Sequence, residues 1–186
     1  MLYPGMRRVQ ENTAINTKNK SHAVTAEIEV PDTGAKGVIV AQGGSMAGWS
    51  LYAHDGRLKY HYNFMGVRQY AVAASSALPS GTHQVRMEFT YDGGGLGKGA
   101  TVTLFVDGKP VGEGRVDRTI KFNFALDETM EVGCDLGEPV SPDYGARGNE
   151  FNGRVSWVQI DIDAAVKDAD HLIGAEERFQ LIMAKQ

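Results

Sequence analysis

Between His22 and Ile162 the chain carries a series of short runs in which apolar residues recur at every second position, with no convincing amphipathic helix before Asp168. Val24, Ala26, Ile28 and Val30 alternate with Thr25, Glu27 and Glu29, and Pro31 ends the run. "KGVIVAQGG" is more fully apolar. Leu58, Tyr60, Tyr62 and Phe64 share one face against Lys59, His61 and Asn63, and Val85, Met87, Phe89 and Tyr91 oppose Gln84, Arg86, Glu88 and Thr90. Ile120, Phe122 and Phe124, then Met130, Val132 and Cys134, then Val158, Ile160 and Ile162, continue the period. Asp55-Gly56 and Asp107-Gly108 each join two such runs and read as hairpin turns. About ten short strands without crossover helices predict an all-β antiparallel sandwich. It is expected as a single domain over 1–186, with an extended polar arm over 1–20 and a short C-terminal helix over 172–186. Glu176 and Glu177 early in that segment and Lys185 near its end suit a helix dipole.

A net charge of -4 gives no reason to expect nucleic acid or an anionic membrane as partner. Cys134 is the only cysteine, so no intrachain disulfide forms, and its place on the apolar face of "MEVGC" predicts a buried thiol. "MLYPGMRRVQEN" lacks the pattern of a signal peptide, and no apolar run is long enough for a membrane span. The expectation is a soluble chain, cytoplasmic as written.

Gly93, Gly94, Gly95, Gly97 and Gly99 crowd around Lys98. A phosphate-binding loop needs a hydroxyl residue after Gly-Lys and a helix to follow, but here Gly99 and the strand "ATVTLFV" come next. The stretch therefore reads as a mobile connection between strands. None of the five histidines has zinc-site spacing. Asp135, Glu138 and Asp143, in "CDLGEPVSPDYG", form a candidate calcium loop or a solvated acidic one. Trp49, Tyr60 and Tyr62, with His61 between the tyrosines, are candidates to stack on and bind a sugar, and the same rings equally suit a core.

The stretches "PGMRRVQENTAINTKNKSHAVTAEIEVP", "GVIVAQGGSMAGWSLYAHDGRLKYHYNF" and "RMEFTYDGGGLGKGATVTLFVDGKPVGEGRV" resemble the C-terminal region of a group of long bacterial arylsulfatases. The likeness continues through "DETMEVGCDLGEPVSPDY" and "FNGRVSWVQIDI" to the end of the chain. It implies a concanavalin-like, laminin-G-like jelly roll. In that family sulfate-ester hydrolysis belongs to a separate domain, with a Cys/Ser-x-Pro/Ala-x-Arg motif and a calcium cluster. Cys134-Asp135-Leu136-Gly137-Glu138 lacks the proline and arginine, and neither Ser141-Pro142 nor Leu78-Pro79-Ser80 has the required order. The resemblance thus implies a non-catalytic accessory module that docks on a sulfatase-like catalytic domain or pairs with a second copy. A lectin-like carbohydrate module is the alternative.

Overall fold

The computed structural model describes residues 1–11, 13–121, 123–124 and 129–162. Eleven strands run in order: β1 (Val9–Gln10), β2 (His22–Val30), β3 (Gly37–Gly43), β4 (Gly48–His54), β5 (Arg57–Phe64), β6 (Arg68–Ala73), β7 (Gly81–Tyr91), β8 (Ala100–Val106), β9 (Lys109–Val116), β10 (Thr129–Val132) and β11 (Arg154–Ile162). They form a six-stranded sheet, β1-β10-β3-β4-β5-β6, and a five-stranded sheet, β11-β2-β7-β8-β9. All the strand pairs are antiparallel. The expected fold is corrected on one point. No described residue is helical, so the sandwich is all-β without a helix, and the segment 172–186 where one was expected lies outside the described residues. The run around Ile120 and Phe124 is also not a strand. Both side chains are buried from a connecting loop, and Phe122 lies outside the described residues.

The alternating residues decide the packing. Val24, Ala26 and Ile28 of β2, Val85, Met87 and Phe89 of β7, and Val102 and Leu104 of β8 point at the other sheet. They meet Val40, Trp49, Leu51, Leu58, Tyr60 and Val72 in one core. Each fully buried aliphatic side chain contributes roughly 1.5–3 kcal/mol relative to exposure. The six-stranded sheet is unusual in burying its second face as well. Val38, Ala41 and Tyr52 form a small second cluster there, with Tyr144 packed on it.

Three hairpins close on turns whose two central residues are both left-handed: Asp55-Gly56, Met65-Gly66 and Asp107-Gly108. That backbone suits the right-handed twist of paired strands, and Asp-Gly tolerates it well. Methionine does not, at a cost of about 1 kcal/mol. Met65 holds the position with its side chain exposed, while its neighbour Gly66 lies against the turn between β3 and β4.

His22, at the start of β2, stacks on Phe89 at 4.8 Å and is buried. Its Nδ1 lies 3.0 Å from the Lys20 carbonyl, which fixes Nδ1 as the protonated nitrogen of a neutral ring. Nε2 has no hydrogen-bond partner, so protonating it would place a buried charge against apolar neighbours. Burial lowers the pKa to about 4, against a partial opposing effect of the Lys20 bond. The unfolded chain therefore binds more protons than the native one between the ordinary histidine pKa and about 4. Stability from this group is complete above that window and is lost as pH falls through it. Urea unfolding at pH 7 and pH 4.5 should show wild type losing roughly 2 kcal/mol more than His22→Phe across the interval. Equal losses would mean that His22 is not held neutral.

Candidate functional site

The long connection between β10 and β11 covers the second face of the six-stranded sheet, and Asp135 organises it. Asp135 is buried, and its Oδ2 accepts from the Val140 amide at 2.9 Å and the Tyr144 hydroxyl at 2.6 Å. Asn149 closes the loop from the other side. Its Oδ1 accepts from the Asp135 amide at 2.9 Å, and its Nδ2 donates to the carbonyls of Asp135 and Gly145 at 2.7 and 2.9 Å. The Asn149 carbonyl accepts from Val38 N at 2.8 Å, which ties the loop to β3. Gly37 makes that approach possible. It has φ +101°, and a Cβ there would stand 2.1 Å from the Glu150 carbonyl oxygen.

This loop aims two side chains at the sheet. The Tyr144 ring meets Tyr52 edge-on at 5.2 Å. Asp143 accepts from the Tyr52 hydroxyl at 2.6 Å and pairs with the Lys59 ammonium. Burial opposes ionisation of Asp143, but the bonds from Lys59 and Tyr52 outweigh it and hold the carboxyl below its usual range. Asp135 moves the other way: burial raises it, and its bonds from Tyr144 and Val140 offset this only in part.

Beside this pair the 33–37 loop, the hairpin tip at 54–56 and residues 143–152 enclose a cleft of about 740 Å³. Lys36 N donates to Asn152 Oδ1 and Asn152 Nδ2 to the Gly34 carbonyl, both at 2.8 Å, so two of its rims are zipped together. The chemistry of the lining is mixed: Lys36, His54, Asp55, Asp143, Tyr144 and Arg147. Lys36 and Arg147 are exposed and form no ion pair among the described residues. His54 Nε2 and Asp55 stand 3.5 Å apart.

The residues singled out in the sequence separate. Trp49, Tyr60 and Tyr62 face the inter-sheet core and are buried. Trp49 Nε1 donates to Gln42 Oε1 at 3.1 Å, and the Tyr62 hydroxyl accepts from Ile120 N at 2.8 Å. Truncating such a ring to alanine costs roughly 3–5 kcal/mol, an effect on the core rather than on a surface. His61 faces the opposite side of the sheet, also buried, and burial lowers its pKa. Asp143 lines the cleft, Asp135 lies in the covering loop, and Glu138 is exposed on it. Among the described residues no group of three His, Cys, Asp or Glu side chains is placed to hold a metal ion. Cys134 is buried, and burial raises its thiol pKa. Lys36, Tyr144 and Arg147, missed in the sequence, are single residues in irregular loops, with no periodicity to mark them.

No protein-family model matches the sequence, and no curated protein matches it. Solved structures do. The CBM40 of the Ruminococcus gnavus IT-sialidase superposes with a TM-score of 0.55 and 13% identity, covering 92% of this chain and 94% of that one. The mouse laminin α1 chain, domains LG4-5, gives a TM-score of 0.50 and 17% identity over 89% of this chain, which spans 40% of that structure. The binding domain of botulinum neurotoxin serotype C1 gives a TM-score of 0.50 and 12% identity, over 90% of this chain and 37% of that one. Identities this low show a shared fold. The chain is an all-β jelly-roll sandwich of the concanavalin-like kind. No helix among the described residues is long and apolar enough to cross a membrane.

The pair at the inner wall of the cleft can be weighed directly. A double-mutant cycle of Lys59→Met and Asp143→Asn, read by urea unfolding, should give a coupling of about 1 kcal/mol, because Tyr52 joins the pair and both side chains are largely shielded. Strict additivity would mean that solvent screens the contact as it does an exposed pair.

Proposed function

We propose that this chain is a non-catalytic carbohydrate-binding module and that its ligand cleft lies between the 33–37 loop, the 54–56 hairpin tip and residues 143–152. The observation that carries the reading is the lining itself. Two uncommitted cations, an imidazole, two carboxylates and a phenol ring converge on one open depression at the loop end of a jelly roll. Sugar hydroxyls both donate and accept, so a surface offering carboxylate oxygens beside ammonium and guanidinium donors matches them in both directions. Hydrolysis would need an activated nucleophile or a metal with an open position. The described residues offer neither in a workable arrangement. The CBM40 structure bound to α2,6-sialyllactose, which superposes with a TM-score of 0.54, supports the same class of ligand, and Lys36 or Arg147 would pair with a sugar carboxylate.

A second reading keeps the module as an accessory domain docked on a sulfatase-like catalytic partner. Met46, Met65 and Val67 favour it: all three are exposed, on two turns at the far end of the sandwich that lie against each other. Light scattering on the purified chain, with calcium and with chelator, tests it, and a monodisperse monomer in both would count against docking through a second copy.

For the leading reading, a glycan array followed by calorimetry with α2,6-sialyllactose and lactose is the direct experiment. Lys36→Ala and Arg147→Ala should each weaken the bound glycan about tenfold, the loss of one charge-assisted hydrogen bond. Both variants should melt with the wild type, since both side chains are exposed. An array without a single saturable ligand would end the proposal.

A further inference from the structure

The glycine-rich connection between β7 and β8 is not loose. The Tyr91 hydroxyl donates to the Gly95 carbonyl at 2.6 Å and accepts from Lys98 N at 2.9 Å. Asn19 Oδ1 accepts from Gly97 N at 2.7 Å, while its Nδ2 donates to the Lys121 carbonyl at 3.0 Å. Thr119 Oγ1 donates to the Lys98 carbonyl at 2.8 Å. Two connections distant in sequence, 92–99 and 117–121, are thereby stapled into facing walls. Between them, with Phe64 and Met65, lies a cleft of about 750 Å³ at the opposite end of β5 from the polar one.

Its chemistry is different. Phe64, Leu96 and Ile120 give an apolar lining, and Lys98, Arg118 and Lys121 stand around it. None of these cations is in an ion pair among the described residues. Asp92, also at the cleft, is neutralised: Arg115 grips both its oxygens, at 2.9 and 2.6 Å. Gly99 leaves room for that grip, since a Cβ would stand 2.4 Å from Arg115 Nη2. Asp117, which also faces the Arg115 guanidinium, is the other described carboxylate at the cleft, against three cations.

We propose that this second cleft binds an amphipathic organic anion, a carboxylate or an acidic ester carried on an apolar ring or chain. An inorganic anion would leave the apolar lining in water. A neutral apolar ligand would strip water from three cations and return nothing. A polyanion such as nucleic acid needs a basic stripe, which a chain of net charge -4 with one local cluster does not supply. A ligand with both parts satisfies both surfaces, the head on Lys98, Arg118 or Lys121 and the body against Phe64, Leu96 and Ile120.

The test uses the whole chain and three probes, 2-naphthoate, its neutral isostere 2-naphthamide and inorganic phosphate, followed by amide NMR shifts. The naphthoate should bind saturably, shift the amides of 93–99 and 119–121, and weaken with added salt. The amide and phosphate should each bind at least tenfold more weakly. Lys98→Ala and Arg118→Ala, both at exposed side chains, should each cost about tenfold in naphthoate affinity, and Leu96→Asp should abolish it. Lys36→Ala and Arg147→Ala should leave it unchanged, which separates this site from the glycan cleft. Equal affinity for naphthoate and naphthamide would overturn the anion assignment. Phosphate as tight as naphthoate would overturn the apolar one. Shifts centred on the polar cleft, or no binding at millimolar probe, would remove the site.

Discussion

Burial of the second face of the six-stranded sheet is the constraint on which the rest depends. Val38, Ala41 and Tyr52 cannot face water without cost, so a cover is required, and the cover is irregular backbone whose polar groups need partners of their own. Asp135 and Asn149 supply them by binding each other's loop segments and the edge of β3. Once that loop is fixed, Tyr144 and Asp143 have nowhere to point except at Tyr52 and Lys59, and the outer side of the loop becomes a wall of the polar cleft. A carboxylate whose burial raises its pKa is retained because it holds the cover in register.

The strand pattern was legible because the five-stranded sheet obeys the simple rule. The run from Val85 to Tyr91 alternates in sequence and alternates in burial. The hairpins at Asp55-Gly56 and Asp107-Gly108 were legible for the same reason, since their chemistry is local. Orientation in the six-stranded sheet was not. β3 and β4 are buried along nearly their whole length, so period two no longer says which residues face the core. Trp49, Tyr60 and Tyr62 could be read as platform or core on sequence, and only sheet pairing resolves their direction. The Met65-Gly66 turn carried no signal, because methionine is not a residue that left-handed backbone selects.

The clefts were harder still, because each is assembled from segments far apart in the chain. Lys36 meets the hairpin tip and Arg147, and Lys98 meets Arg118 and Lys121, only after the sandwich has closed. The glycine loop shows why composition misleads here. Its glycines suggest slack, yet Tyr91 and Asn19 draw it tight, and Gly99 serves to admit an arginine–carboxylate pair.

β5 has a consequence at the scale of assemblies. Its eight residues join the Asp55-Gly56 tip at one cleft to the Met65-Gly66 tip at the other, a separation of roughly 25 Å set by strand rise. Paired on both sides, the strand is a rigid spacer, so one small molecule cannot occupy both ends. Two ligands borne on a common flexible scaffold can, and the second would then bind at an effective concentration fixed by the linker rather than by bulk supply. With both clefts filled as proposed, the sandwich would act as a clamp of fixed span, tight for carriers that match its length and indifferent to shorter ones.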